Sequence, residues 1–343
     1  MKVWPITMKR ICVTVVTVGG VITLLGATAA TTKPTGTQSD AKKLLLLTHN
    51  AFYKHQSLGS AERAVVDLGQ KGGFEVTALK GYMQEADEID LSFLSAAYLR
   101  QFDGVMMMTN GELPMTAEQK RALIDFVHDG KGFVAVHQTV VTFYTFPRFG
   151  ELVGAYFAKG PIFDPTNSSK RVAVLKVEDR EHPATRMLGA HWTLHDEFYQ
   201  FAKEAWNPSR PDDANVGPTG HPVPIAFSRS RVNVLLSIDS DQTDFAELGS
   251  GWERGGDYPQ AWYQQFGDGR SFYTSLGHRA DLWQRDPLFR AHILGARTLV
   301  GLRLVSPWSH TEPQNGFEGW TRLPLPGQWR RCPPRICAHF GLC

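Results

Sequence analysis

The chain has 343 residues, 42% of them hydrophobic, enough for a substantial core in one large domain or two small ones. Lys and Arg number 36 against 34 Asp and Glu, a formal net charge of +2, with the basic residues scattered along the chain. A nucleic-acid partner is set aside on that ground, because such binders carry a basic excess or a clustered basic stripe.

In chain order, Lys2, Lys9 and Arg10 precede an apolar stretch from Ile11 to about Ala29, and Ala27-Thr28-Ala29 fits a small-residue cleavage site. Residues 1–29 are therefore expected to be an export signal, placing the protein in the periplasm or outside the cell. Left uncleaved, the same segment would be a membrane anchor, the one membrane contact expected. The polar stretch Thr31–Asp40 lies in an expected linker, residues 30–41. Cys12 falls in the signal and Cys332, Cys337 and Cys343 fall at the far end, where one bridge among the three is allowed. The expected domain, residues 42–305, contains no cysteine, so it has neither a thiol nucleophile nor a cysteine zinc site.

Lys43–Thr48 is a short apolar run, the pattern of a strand buried on both faces. A polar loop, His49–Gln56, leads to a helix over Ser57–Lys71, with Leu58, Ala61, Val65 and Leu68 at helical spacing. Strands are predicted at Phe74–Leu79 and Phe102–Thr109. A helix follows over Thr116–Asp129, opened by a Thr116/Gln119 capping box and stopped at Gly130. Gly132–Val136 is a fourth buried strand and ends directly at His137. Strands alternating with helices in this way predict an α/β fold with a mainly parallel sheet, whose ligands bind beyond the carboxyl ends of the strands. His49, His55 and His137 all stand at such ends.

Further strands are predicted at Arg171–Val177, Val232–Asp239, Gln260–Phe266 and Arg270–Ser275, the last two forming a hairpin through Gly267-Asp268-Gly269. A helix over Asp286–Leu302 has Asp286 as its cap and Pro287 at its first position. Residues 306–343, rich in Pro, Gly and Trp without periodicity, are expected to be a disordered tail.

Five segments carry a family resemblance: His55-Gln-Ser57; Gly132–His137 running into Thr142–Pro147; His182-Pro-Ala-Thr185; Asp196-Glu197-Phe-Tyr199; and Gly267–His278. In this order they resemble the ThuA-like (trehalose utilisation) family, over roughly Lys43–Leu302. The resemblance implies a fold similar to class I glutamine amidotransferases, a flavodoxin-like three-layer sandwich with additional strands in the second half. It also implies a carbohydrate ligand, a disaccharide or keto-sugar derivative. Amidotransferase activity is excluded, because His137 stands where those enzymes place their cysteine. The family pattern also has an Asp ahead of its Phe-Tyr pair, whereas Gln138-Thr-Val-Val141 precedes Thr142 here.

His137 is a candidate general base or metal ligand, since imidazole titrates near neutral pH; the alternative is a core histidine bonded to backbone. Neighbouring side chains in a strand point to opposite faces, so Glu197 is expected to face the site while Asp196 supports it through a hydrogen bond. His55 and His278 are expected to complete the site. Several histidines with a carboxylate would suit a divalent metal such as zinc, although no two of these histidines stand at His-x-x-x-His spacing and no His-Glu-x-x-His motif is present. Tyr144, Tyr199 and Trp262 are candidates for stacking on a sugar, or for the core, and Ser57 and Gln138 for hydrogen bonds to hydroxyls. The expected activity is acid–base chemistry on a small carbohydrate by a hydrolase or lyase, or sugar binding without turnover.

Overall fold

The computed structural model describes residues 41–157, 171–209, 216–248 and 251–299; the expected signal, most of the linker and the tail lie outside them. Nine strands form one sheet in the order β2-β1-β3-β4-β9-β8-β7-β5-β6. They are β1 (Lys43–Leu47), β2 (Glu75–Ala78), β3 (Gly104–Met107), β4 (Gly132–Val136), β5 (Val172–Val177), β6 (His191–His195), β7 (Asn233–Ile238), β8 (Pro259–Phe266) and β9 (Gly269–Thr274).

The apolar run of β1 is divided between two cores because alternate side chains leave opposite faces of a strand. Leu44 and Leu46 join a core with α1 (Leu58–Gly72), to which the later helices α6 (Ala280–Arg285) and α7 (Pro287–Leu299) contribute Trp283, Phe289 and Ile293. Leu45 and Leu47 join a second core, filled by Leu123, Phe126 and Val127 of α3 (Ala117–His128) and by Phe149 and Leu152 of α4 (Pro147–Val153). Shorter helices are α2 (Ala96–Leu99) and α5 (Phe245–Leu248). The capping box is formed: Gln119 N donates to Thr116 Oγ1 at 3.2 Å and Thr116 N to Gln119 Oε1 at 2.8 Å. Asp286 caps α7, accepting from Phe289 N at 2.8 Å.

One expectation is corrected. The sheet is not mainly parallel but changes character at β9, which runs parallel to β4 and antiparallel to β8. β2, β1, β3, β4 and β9 form the parallel half, and β9, β8, β7, β5 and β6 the antiparallel half. The cause is the tight β8–β9 turn, which is too short for a crossover and forces the two strands to pair head to tail. Alternating directions across the second half bring the carboxyl end of β6 to the same edge as those of β1, β4 and β9. That shared edge carries the candidate site. No helix among the described residues is long and apolar enough to cross a membrane.

His182 shapes a turn, its carbonyl accepting from Thr185 N at 2.9 Å, and its ring stacks on Tyr263. His292 of α7 is fully buried, with Nδ1 donating to Ala184 O at 2.7 Å and Nε2 3.1 Å from Thr274 Oγ1. Burial lowers the pKa of His292 to about 4. The unfolded chain therefore takes up a proton below about pH 6.5 that the folded chain refuses, and stability falls as pH drops from there toward 4. Urea unfolding at pH 7, 6 and 5 should show this loss, with a slope of at most about 1.4 kcal/mol per pH unit from this residue. His292→Gln should flatten the dependence relative to the parent chain.

Candidate functional site

The site begins where β4 stops. His137 follows Val136 with φ +49, a left-handed backbone that a non-glycine residue adopts at a cost of about 1–3 kcal/mol. Thr139 stabilises the turn, its hydroxyl lying 2.8 Å from Val136 O and 2.7 Å from Met107 O. The His137 ring is fully buried, and its Nδ1 lies 2.5 Å from the Ser275 carbonyl just past β9. A carbonyl cannot donate, so Nδ1 carries the proton and the Nε2 lone pair points into the site. Tyr273 holds the same turn by donating its hydroxyl to His137 O at 3.1 Å.

Asp196 and Glu197 lie just beyond β6 rather than within it. The alternation expected for strand neighbours does not apply there, and both carboxylates turn toward the chain leaving β9. Asp196, with no solvent exposure, accepts from Gly277 N at 2.6 Å and Arg279 N at 3.2 Å. It thereby clamps the residues on either side of His278. Gly277 has φ +113, which L side chains rarely adopt, and an added Cβ would come within 3.0 Å of Trp283. Glu197 Oε2 then lies 2.8 Å from His278 Nδ1 and 3.2 Å from His137 Nε2, and those two nitrogens are 3.1 Å apart.

Three lone-pair-bearing atoms this close repel one another unless a proton or a cation lies among them. Burial opposes ionisation of Glu197, but the two imidazoles beside it, with His278 Nδ1–H donating to its carboxylate, outweigh burial and hold it well below its usual range. Burial also works against a charge on His278, yet Glu197 raises its pKa above the ordinary imidazole value. Without a metal, the proton therefore sits on His278.

His55 closes the group from the loop after β1. It is buried, and burial followed by the charges of His137 and His278 lowers its pKa far below the ordinary value. Its ring centroid is 5.0 Å from that of His137 and 5.2 Å from that of His278, and its Nδ1 is buried without a hydrogen-bond partner. One donor atom from each of His55, His137, Glu197 and His278 lies within 4.8 Å of the others. Ligands about 2.0–2.1 Å from a tetrahedral zinc sit roughly 3.3 Å apart, close to the spacing of the inner three. The His137–Ser275 bond is the outer contact that fixes ring and tautomer in metal-binding histidines. The residues present therefore fit a divalent metal.

Of the expected substrate contacts, Tyr199 alone reaches this cluster. Its ring stacks on His137 at 4.6 Å and its hydroxyl lies 3.1 Å from His137 Nε2. Burial raises its pKa well above the usual tyrosine value, so the hydroxyl keeps its proton. The others are corrected. Tyr144 is buried with its hydroxyl given to Phe157 O, and Trp262 is buried with Nε1 donating to Val153 O at 2.8 Å, leaving neither ring a free face. Gln138 is spent on the framework, donating to Met108 O at 3.2 Å and Asn50 Oδ1 at 3.3 Å. Ser57 is wholly buried ahead of α1, its hydroxyl without a hydrogen-bond partner.

Gln260 went unrecognised in the sequence. Fully buried in β8, its amide pairs with Tyr199 like a strand, accepting from Tyr199 N at 3.2 Å and donating to Tyr199 O at 2.9 Å. Ser275 Oγ donates to the same amide oxygen at 2.5 Å. A glutamine inside the apolar first half of the strand, Pro259-Gln-Ala-Trp262, was the signal available.

A family model described as ThuA, trehalose utilisation, matches residues 43–231 and 223–298. This chain belongs to the ThuA family. The matched stretches contain all four candidate ligands of this ThuA chain. Its fold is also that of two solved ThuA-like proteins. The one from Bacteroides uniformis is 20% identical with a TM-score of 0.53, over 76% of this chain and 92% of its own. The one from Parabacteroides merdae is 18% identical with a TM-score of 0.54, over 78% and 92%. No curated protein matches the sequence closely.

Asp196 is not one of the four grouped ligand residues and works by placing His278. Asp196→Ala should leave the ThuA fold intact by circular dichroism but weaken uptake of a divalent ion about 10–100-fold. Competition with a chromogenic chelator measures the loss.

Proposed function

We propose that this ThuA-family protein is a metal-dependent carbohydrate enzyme, a hydrolase or lyase acting on a disaccharide or keto-sugar, with His55, His137, Glu197 and His278 as metal ligands. The observation that carries the reading is the convergence of three histidines and a carboxylate at the carboxyl edge of the parallel strands, where α/β folds bind ligands. The family's association with trehalose utilisation supplies the substrate class. A divalent ion held there supplies Lewis acidity toward a carbonyl or hydroxyl oxygen.

Each side chain has a distinct part. His137 presents a lone pair whose direction Ser275 fixes, from a ring that is fully buried. Glu197 brings the negative charge that offsets a dication. His278, the most exposed of the inner three at 21% for its side chain, marks the side from which substrate enters. Tyr199 retains its proton and donates a hydrogen bond to a substrate oxygen once His137 Nε2 is engaged. This reading also keeps the expected export, with residues 1–29 as its signal.

Elemental analysis of the purified full-length protein should find one equivalent of a first-row divalent ion. Adding it back to chelated protein should raise the melting temperature by roughly 5–10 °C at a hundredfold excess over Kd. His137→Ala and Glu197→Gln should lose both metal and turnover of trehalose or its keto derivatives. A protein that takes up no such ion at micromolar concentration ends this reading, and one that binds metal and sugar without turnover is a binding module.

A further inference from the structure

The loop between β1 and α1 contains an aromatic pair that no site described so far uses. Phe52 and Tyr53 are 52% and 57% exposed, high for large apolar rings. Singly exposed aromatics are ordinary on protein surfaces, so exposure alone says nothing. Two further observations set Tyr53 apart.

The first is position. Tyr53 lies edge-on to His55, with ring centroids 4.9 Å apart and planes at 87°. An exposed aromatic ring therefore borders a member of the buried His/Glu cluster.

The second is rigidity. The buried side chain of Asn110, just past β3, accepts from both Phe52 N and Tyr53 N at 3.1 Å and donates to Tyr53 O at 2.6 Å. Asn110 O accepts from Ala51 N at 3.0 Å as well. Gly111, at φ +77, permits this approach, since a Cβ there would come within 3.0 Å of Ala51 C and Phe52 N. The backbone that carries the exposed ring is thus fixed by the amide of one buried asparagine and by close packing. A fixed aromatic surface loses little entropy on binding a ligand.

We infer that Tyr53 is the platform on which a sugar ring of the substrate stacks while its reacting end reaches the His55–His137–Glu197–His278 cluster. Aromatic faces suit this task because a pyranose presents a patch of C–H groups with hydroxyls around its rim, and tyrosine combines apolar area with a polar edge. The assignment replaces Tyr144 and Trp262, whose rings are buried. It rests on the carbohydrate reading above.

The test is calorimetric titration of the metal-loaded full-length protein with trehalose, maltose and sucrose, alongside Tyr53→Ala and Tyr53→Trp. Replacement by alanine should weaken binding of the preferred sugar about ten-fold or more with metal content unchanged, and tryptophan should restore it. The site is exposed, so neither variant should disturb folding. Equal affinity in the alanine variant and the parent overturns the platform and leaves the carbohydrate reading standing. Loss of metal in the alanine variant also overturns it, because the ring would then be holding His55. A parent protein that binds none of the three sugars, nor 3-keto-trehalose titrated in the same way, overturns the carbohydrate reading, and the platform with it.

Discussion

The hydrogen bond from His137 Nδ1 to the Ser275 carbonyl is the constraint on which the rest of the site depends. It ties the ends of two neighbouring parallel strands, β4 and β9, and determines which ring nitrogen bears the proton. With Nδ1 committed, Nε2 has to present a lone pair toward Glu197 and His278. The left-handed backbone at His137 is what brings the ring round to this bond, so local strain is offset by the contacts it allows. Around that core, Asp196 sets His278 and Gln260 sets Tyr199, each through main-chain groups.

Much of this was legible in the sequence. The apolar runs of β1, β3 and β4, the Thr116/Gln119 box and the Asp286-Pro287 start of α7 are local signals, and local physics decides them. The membership of His55, His137, Glu197 and His278 in one site could be named from motif order and strand ends. Their distances could not, because no short-range spacing links them. Tyr144 and Trp262 show the limit most clearly. An aromatic residue suits a sugar face and a dry core equally well, and only packing distinguishes the two. The predominance of parallel strands was overstated for a related reason. The β8–β9 turn could be read, but not the insertion of β9 beside β4, which is a long-range pairing.

Burial and charge act in opposite directions across the cluster, and magnitude decides each case. For Glu197 the neighbouring imidazoles outweigh desolvation, while for His55 desolvation prevails and the ring stays neutral. Asp196 goes the other way from Glu197: burial raises its pKa even though His137 and the Gly277 amide favour the charged form. Adjacent carboxylates in sequence are thus sorted into one that faces a cation site and one enclosed in backbone hydrogen bonds.

The central place of β9 also bears on how the chain is made. During synthesis β4 emerges long before its neighbour Gly269–Thr274 exists, and until then its edge is an open template for pairing. The sheet therefore cannot be completed domain-half by domain-half from the amino end; it must wait for the late strand and close over a large loop, a slow step. Until Gly269–Thr274 has left the ribosome, the ring of His137 likewise lacks the Ser275 carbonyl that orients it.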